Sequence, residues 1–136
     1  MKNDEAARVP VQLWHLFSER RWDEAKELLA DGFEAWWPQS REKMTRDNFI
    51  EVNRTYPGTH KIEVQDVRLE YERWDHTTKV TTVVHIKSKM PDGKDVELYA
   101  TSFFDVDRNN LITEVTEYWA DTYDAPEWRK HLVERF

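Results

Sequence analysis

The spacing of apolar residues in this chain changes near position 60, from a helical repeat to alternation. Upstream, Val9, Leu13, Trp14, Leu16 and Phe17 recur at helical spacing and leave Gln12, His15, Ser18 and Glu19 off the stripe, which predicts a helix from Val9 to Arg20. Trp22, Ala25, Leu28 and Leu29 repeat the pattern up to Ala30, and Asp31-Gly32 supplies a stop. Phe33 to Trp37 reads as a small strand or extended turn, ended by Pro38. A third helix follows, capped by Thr45, with Asp47 in its first turn and Phe49, Ile50 and Asn53 beyond. Tyr56-Pro57-Gly58 ends it.

Downstream, His60, Ile62 and Val64 share one parity, and Val67, Leu69 and Tyr71 share the other. A bulge near Gln65-Asp66 gathers them on one face and leaves Arg68, Glu70 and Glu72 in water. Val80 to Lys89, Val96 to Val106 and Leu111 to Ala120 complete a run of strands. Asp92-Gly93 reads as a two-residue primed turn, and Asp107 to Asn110 as a four-residue turn. The class is therefore α+β, helices first and an antiparallel sheet after, in one domain over residues 1–136.

Those turn lengths fix a register. A two-residue first loop pairs Val83 with Ser102, His85 with Ala100 and Lys87 with Leu98. A four-residue second loop pairs Ser102 with Val115, Ala100 with Glu117 and Leu98 with Trp119. One transverse row is then His85–Ala100–Glu117, its outer Cα atoms roughly 10 Å apart across a small side chain. A carboxylate among apolar neighbours on its own face, opposite an imidazole, suggests a pocket floor, with Ser102, Val115 and Trp119 beside it. A buried carboxylate needs a partner or a raised pKa, so Glu117 and His85 are the candidate acid/base pair. Trp14, Trp36, Trp37, Trp119 and Tyr56 are core residues or, if they face the cavity, shape it for a ring-bearing ligand. The opposite face (Thr82, Val84, Ile86, Tyr99, Thr101, Phe103, Thr116 and Tyr118) is too apolar for water and suggests a symmetric dimer or a cover from the C-terminal segment. In that segment, Pro126, Trp128, Leu132 and Phe136 predict a short amphipathic helix that docks somewhere.

Composition excludes several classes. The net charge of −7, with no basic stripe, argues against nucleic acid. There is no cysteine, so no disulfide, thiolate metal site or Cys nucleophile. No HxH or HxxxH spacing suggests a metal. The opening MKNDEAAR lacks an apolar core and no run reaches membrane-spanning length, which leads us to expect a soluble, cytoplasmic protein.

Three helices followed by a long antiparallel sheet, with RRWDEAKELLADGFEAWWP early and FFDVDRNNLITEVTEYWAD late, resemble the nuclear transport factor 2-like superfamily, nearest its SnoaL-like and ketosteroid-isomerase-like branch. The resemblance spans about Val9 to Trp128. It implies a cone-shaped α+β barrel, three helices against a highly curved antiparallel sheet with a short C-terminal helix. It also implies an apolar cavity on the concave side and frequent homodimers through the convex side. Carried over by position, the general base of ketosteroid isomerases falls at Trp37, their oxyanion-hole Asp at Ser102 and their first-helix Tyr near Leu13 or Trp14. Their constellation is therefore absent. Dehydratase relatives use a His at the start of the strand after the third helix, where His60 stands; their partner Asp falls near Ser18 or Glu19.

The function expected is cofactor-free proton transfer on a small hydrophobic, ring-bearing carbonyl compound: isomerisation, cyclisation or dehydration. Glu117 and His85 would be catalytic, and Trp14, Trp37, Tyr56, His60, Ser102, Val115 and Trp119 would hold the ligand. The alternatives are a non-catalytic small-molecule binder on the same fold and a protein-interaction module.

Overall fold

The strands pair in the order β2-β1-β6-β5-β4-β3 and form a six-stranded sheet that curves without closing. The structure, a computed structural model, describes residues 2–72, 74 and 76–136, apart from the side chains of 2–4 and 72. Its elements are α1 (Lys2–Ser18), α2 (Trp22–Lys26), β1 (Leu29–Trp37), β2 (Glu42–Thr45), α3 (Arg46–Thr55), β3 (Thr59–Glu72), β4 (Thr77–Lys89), β5 (Asp95–Val106) and β6 (Ile112–Asp121). The α+β class read from the periods holds, with helices lying on one side of the sheet. No helix among the described residues is long and apolar enough to cross a membrane.

α1 buries Leu13, Trp14, Leu16 and Phe17, the stripe predicted by spacing, although it starts earlier and runs through Pro10. Its Phe17 meets Trp14 edge-on at 6.0 Å and Phe49 of α3 at 5.9 Å, while Phe33 of β1 meets Phe49 at 5.2 Å. These rings tie the helices to the sheet. α2 is shorter than predicted, because Leu29 leaves the helical stripe to open β1. Asp31-Gly32 lies inside that strand, at the irregularity between Leu29 and Glu34 where β1 pairs in parallel with β6. β2 was not predicted: Glu42–Thr45 contains a single apolar side chain, Met44, which is buried. Thr45 does cap α3, its Oγ1 accepting from Asn48 N at 3.4 Å.

β3 carries the predicted bulge, between Val64 and Asp66. It brings Ile62, Val64 and Val67 onto one face, shared with their cross-strand partners Ile86, Val84 and Thr82. Arg68 and Glu70 are exposed; the side chain of Glu72 lies outside the described residues.

Both hairpin expectations need correction. In the first, Met90 N donates to Lys94 O at 2.8 Å and Gly93 N to Met90 O at 2.8 Å, so the loop is Pro91-Asp92-Gly93, with Gly93 at φ +88°. This is a type I turn followed by a left-handed residue, one residue longer than the primed turn expected. The second repeats it: Asp107 N donates to Leu111 O at 2.9 Å, Asn110 N donates to Asp107 O at 3.0 Å, and Asn110 has φ +60°. A further shift then follows between Asp105 and Val106.

The observed rows are therefore Ala120–Tyr99–His85, Trp119–Ala100–Val84 and Glu117–Ser102–Thr82. One slip in β4–β5 turns His85 to the convex face and brings Thr82, Val84 and Ile86 inward. Two slips in β5–β6 keep Glu117 inward but set it opposite Ser102 rather than Ala100. The C-terminal segment forms the short helix expected, a 3₁₀ helix over Glu127–Leu132, but its apolar residues do not dock: Trp128, Leu132 and Phe136 are exposed.

Candidate active site

Between α1, α3 and the concave face lies a cavity of about 80 Å³. One water occupies roughly 10–15 Å³ on such a measure, so there is room for several waters or one ring-sized group. Its walls are aromatic: Trp14 and Phe17 from α1, Trp22 from α2, Trp37 from β1, Tyr56 after α3 and Trp119 from β6. Ile62, Ile86, Leu98 and Ala100 complete the apolar lining. Alternation places the strand residues inside; the T-shaped packing of Trp119 against Trp37 (5.7 Å) and Tyr56 (6.2 Å) fixes one wall.

Glu117 lines this cavity and is only 4% exposed. Trp37 Nε1 donates to its Oε1 at 2.9 Å, and Ser102 Oγ donates to its Oε2 at 2.6 Å. Burial pushes the carboxyl's pKa up, and the hydrogen bonds from Ser102 and Trp37 draw it partly back. Each oxygen keeps a second lone pair, so the group can still meet a ligand. The positions where the resemblance puts a ketosteroid isomerase's base and oxyanion-hole Asp, Trp37 and Ser102, thus both converge on one carboxyl.

The other polar lining groups are Arg20, Asn53 and His60. Asn53 Nδ2 donates to Phe49 O at 2.9 Å, which leaves its carbonyl oxygen for the cavity. His60 Nδ1 lies 2.6 Å from Ser88 Oγ and Nε2 lies 3.4 Å from Tyr56 O. A proton on Nε2 satisfies both contacts, with Nδ1 accepting from Ser88. Neither Ser18 nor Glu19 joins His60: Ser18 Oγ accepts from Ile62 N at 3.2 Å, and Glu19 bonds Arg21 at 2.8 Å. Burial, aided by the charge of Asp121, raises the pKa of the Tyr56 phenol.

The predicted site residues divide accordingly. Glu117, Trp14, Trp37, Tyr56, His60 and Trp119 come together around the cavity. Ser102 and Val115 are fully buried and do not line it; Ser102 reaches it through Glu117. Trp14 Nε1 is engaged by Thr82 Oγ1 at 3.0 Å. His85 is the clear correction. It stacks on Tyr99 (4.6 Å, 17°) and its Nε2 lies 2.6 Å from Glu97 Oε2, on the convex face. Trp36 also faces outward, under Lys43 Nζ at 5.0 Å from its ring centroid. Sequence reasoning missed Arg20, Asn53 and Trp22, which sit at helix ends where a stripe argument does not say which way a side chain turns.

An open, strongly curved sheet with helices enclosing a cavity on its concave side is the nuclear transport factor 2-like fold, and this chain has it. A candidate ketosteroid isomerase from Kribbella flavida DSM 17836 is similar over 98% of this chain and 90% of its own, at 24% identity and a TM-score of 0.75. A nuclear transport factor 2-like protein of unknown function from Burkholderia xenovorans LB400 is similar over 100% and 98%, at 20% identity and a TM-score of 0.70. The epoxide hydrolase/cyclase-like enzyme SalBIII of pyran ring formation in the polyether salinomycin is similar over 88% and 95%, at 13% identity and a TM-score of 0.71. No protein-family model and no curated protein matches the sequence. At these identities the likeness establishes the fold.

Proposed function

We propose that the cavity binds a small, ring-bearing carbonyl compound and that Glu117 exchanges a proton with it, without a cofactor. The observation that carries this is a carboxyl 4% exposed at the wall of an aromatic cavity. Burial raises its pKa toward the range in which a carboxyl both accepts and returns a proton near neutrality. As base, an oxygen of Glu117 takes a proton from the carbon between the carbonyl and a C=C bond, and the C–H electron pair becomes a dienolate. The proton returns to the far carbon of that dienolate, which shifts the double bond and closes an isomerisation. Cyclisation or dehydration uses the same first step. His85 has no part in it. The structural neighbours that support the class include a candidate ketosteroid isomerase and an epoxide hydrolase/cyclase-like enzyme.

The test is deuterium exchange at the α-carbon of 2-tetralone in D₂O, followed by proton NMR. Exchange above buffer with the native protein, and none above buffer with Glu117→Gln, is expected. Equal rates for the two proteins remove Glu117 from the mechanism.

A second reading has its own support. Both oxygens of Glu117 already accept from protein donors, so the carboxyl can serve as a pin between β1, β5 and β6 in a ligand-binding protein that does no chemistry. Binding of ring compounds with no exchange favours it. The convex face suits a second copy of the chain. Tyr99, Phe103 and Tyr118 are exposed there, and Trp36 Nε1 is buried beside them with no hydrogen-bond partner among the described residues. A different protein partner on that face would make the chain an interaction module.

A further inference from the structure

Two adjacent arginines at the end of α1 have opposite surroundings. Arg21 is consumed by neighbours: its Nη1 bonds Glu19 Oε1 at 2.8 Å and its Nε bonds Glu24 Oε1 at 2.9 Å. Arg20 pairs with no carboxylate among the described residues. Its guanidinium lies over the Trp22 ring, 5.6 Å from the centroid, and it lines the cavity.

The backbone holds it there. Arg20 N donates to Phe17 O at 3.1 Å and Arg21 N to Leu16 O at 2.9 Å, the paired bonds of a Schellman motif, and Arg20 sits in it at φ +60°. Glycine or asparagine ordinarily fills that position, because a side chain there costs about 1 kcal/mol or more. Arg41, His76 and Asn110 also have positive φ, so conformation alone does not distinguish Arg20. What does is the conjunction of that conformation, a cavity-lining guanidinium and no acidic partner. Arg20 is the only Arg or Lys among the described lining residues.

We propose that the cavity's ligand is a ring-bearing carboxylate, its carboxylate held by the Arg20 guanidinium at the exposed end, its ring among Trp22, Tyr56 and Trp119, and its far end at Glu117. This rests on the small-molecule reading above and narrows its substrate class. A planar guanidinium pairs with a carboxylate through two parallel hydrogen bonds, and its contact with the Trp22 ring holds it at the cavity. The chain as a whole carries −7, so its overall field opposes an anion and only a local cation can select one. At the buried end, burial pushes the Glu117 carboxyl's pKa up, which lessens its repulsion of an anion.

Cinnamate and cinnamamide share one shape and differ in charge. Their dissociation constants can be read from shifts of the Trp37 and Trp119 indole N–H signals in ¹⁵N-labelled protein. Cinnamate is expected to bind at least about ten-fold tighter, equivalent to about 1.4 kcal/mol, with the preference weakening in salt. Arg20→Gln should bring the ratio close to one, and Arg20→Lys should restore part of it. Equal binding by the native protein, or a preference that survives Arg20→Gln, overturns the inference while leaving a small-molecule cavity. If neither compound moves either indole signal, the small-molecule reading falls and takes this inference with it.

Discussion

The indole of Trp37 donates to the carboxyl of Glu117 over 2.9 Å, joining the end of β1 to β6 inside the core. With Ser102 on the other oxygen, this bond opposes the effect of burial on the carboxyl. Trp37→Phe removes a donor that favours the ionised form. The Glu117 pKa should rise further, and the fold should lose about 1–3 kcal/mol, the cost of a buried acceptor left short of a partner. A ¹³C-carboxyl titration and urea unfolding check the two parts; an unmoved titration would mean the indole does not tune the acid.

Stability should depend on pH through the same residue, with a sign opposite to that of a salt-bridged acid. The folded pKa of Glu117 is raised above 4.5, so between 4.5 and the raised value the folded state holds more protons than the unfolded one. This contribution therefore favours folding most below pH 4.5 and is lost as pH climbs through the folded pKa. Glu117→Gln cannot ionise, so its stability relative to the native protein should grow over that window and level off above it. Paired urea midpoints at pH 4.5 and 8 give the comparison; a constant difference would show that the carboxyl's burial carries no such penalty.

Two glycines should respond unequally. Gly58 and Gly93 both have positive φ, +92° and +88°, but a Cβ on Gly58 would lie 2.4 Å from Lys89 O, whereas one on Gly93 meets nothing within 4 Å. Gly93→Ala should cost about 1–2 kcal/mol from conformation alone. Gly58→Ala adds a collision with backbone and should cost clearly more. Chemical denaturation of the pair settles the order.

Removing the imbidazole of His85 should leave proton exchange within about two-fold of the native rate, because the ring stacks on Tyr99 outside the cavity. A large loss measured with His85→Ala would bring that histidine back into the mechanism.

On the convex face, Phe103→Asp should convert a dimer into a monomer. Phe103 is 48% exposed and meets Tyr118 edge-on at 6.4 Å, near the centre of the apolar patch. Sedimentation of the native chain and the variant tests this; a native chain that sediments as a monomer excludes the dimer.

Much of this architecture is legible in the sequence because parity is. The switch from Val64 to Val67 in β3 announces its bulge, and the alternation through Val115, Glu117 and Trp119 places the carboxyl inside. Loop geometry is where the reading fails. Asp92-Gly93 fits a two-residue turn, but Pro91 before it suits the first central position of a type I turn, with Gly93 as the left-handed residue that follows. One misjudged residue turned His85 to the wrong side. In the next hairpin the loop is one residue shorter than expected and a bulge follows. The two displacements add to two residues, which keeps Glu117 on its face while changing its neighbour from Ala100 to Ser102. A hydrogen-bond partner such as Trp37, 80 residues away, has no local signal at all.

Just past Trp37 the chain turns away at Pro38, yet Gln39 keeps contact with β6: its Nε2 donates to Trp119 O at 2.6 Å and its Oε1 accepts from Trp119 N at 3.0 Å. A side-chain amide here imitates a peptide unit of β1, which has already ended, so the Trp119 N–H and C=O are satisfied where β6 outruns its neighbour. Because that clasp hangs on a single exposed residue, a change at Gln39 alone would release the Trp119 peptide groups without touching the packed interior.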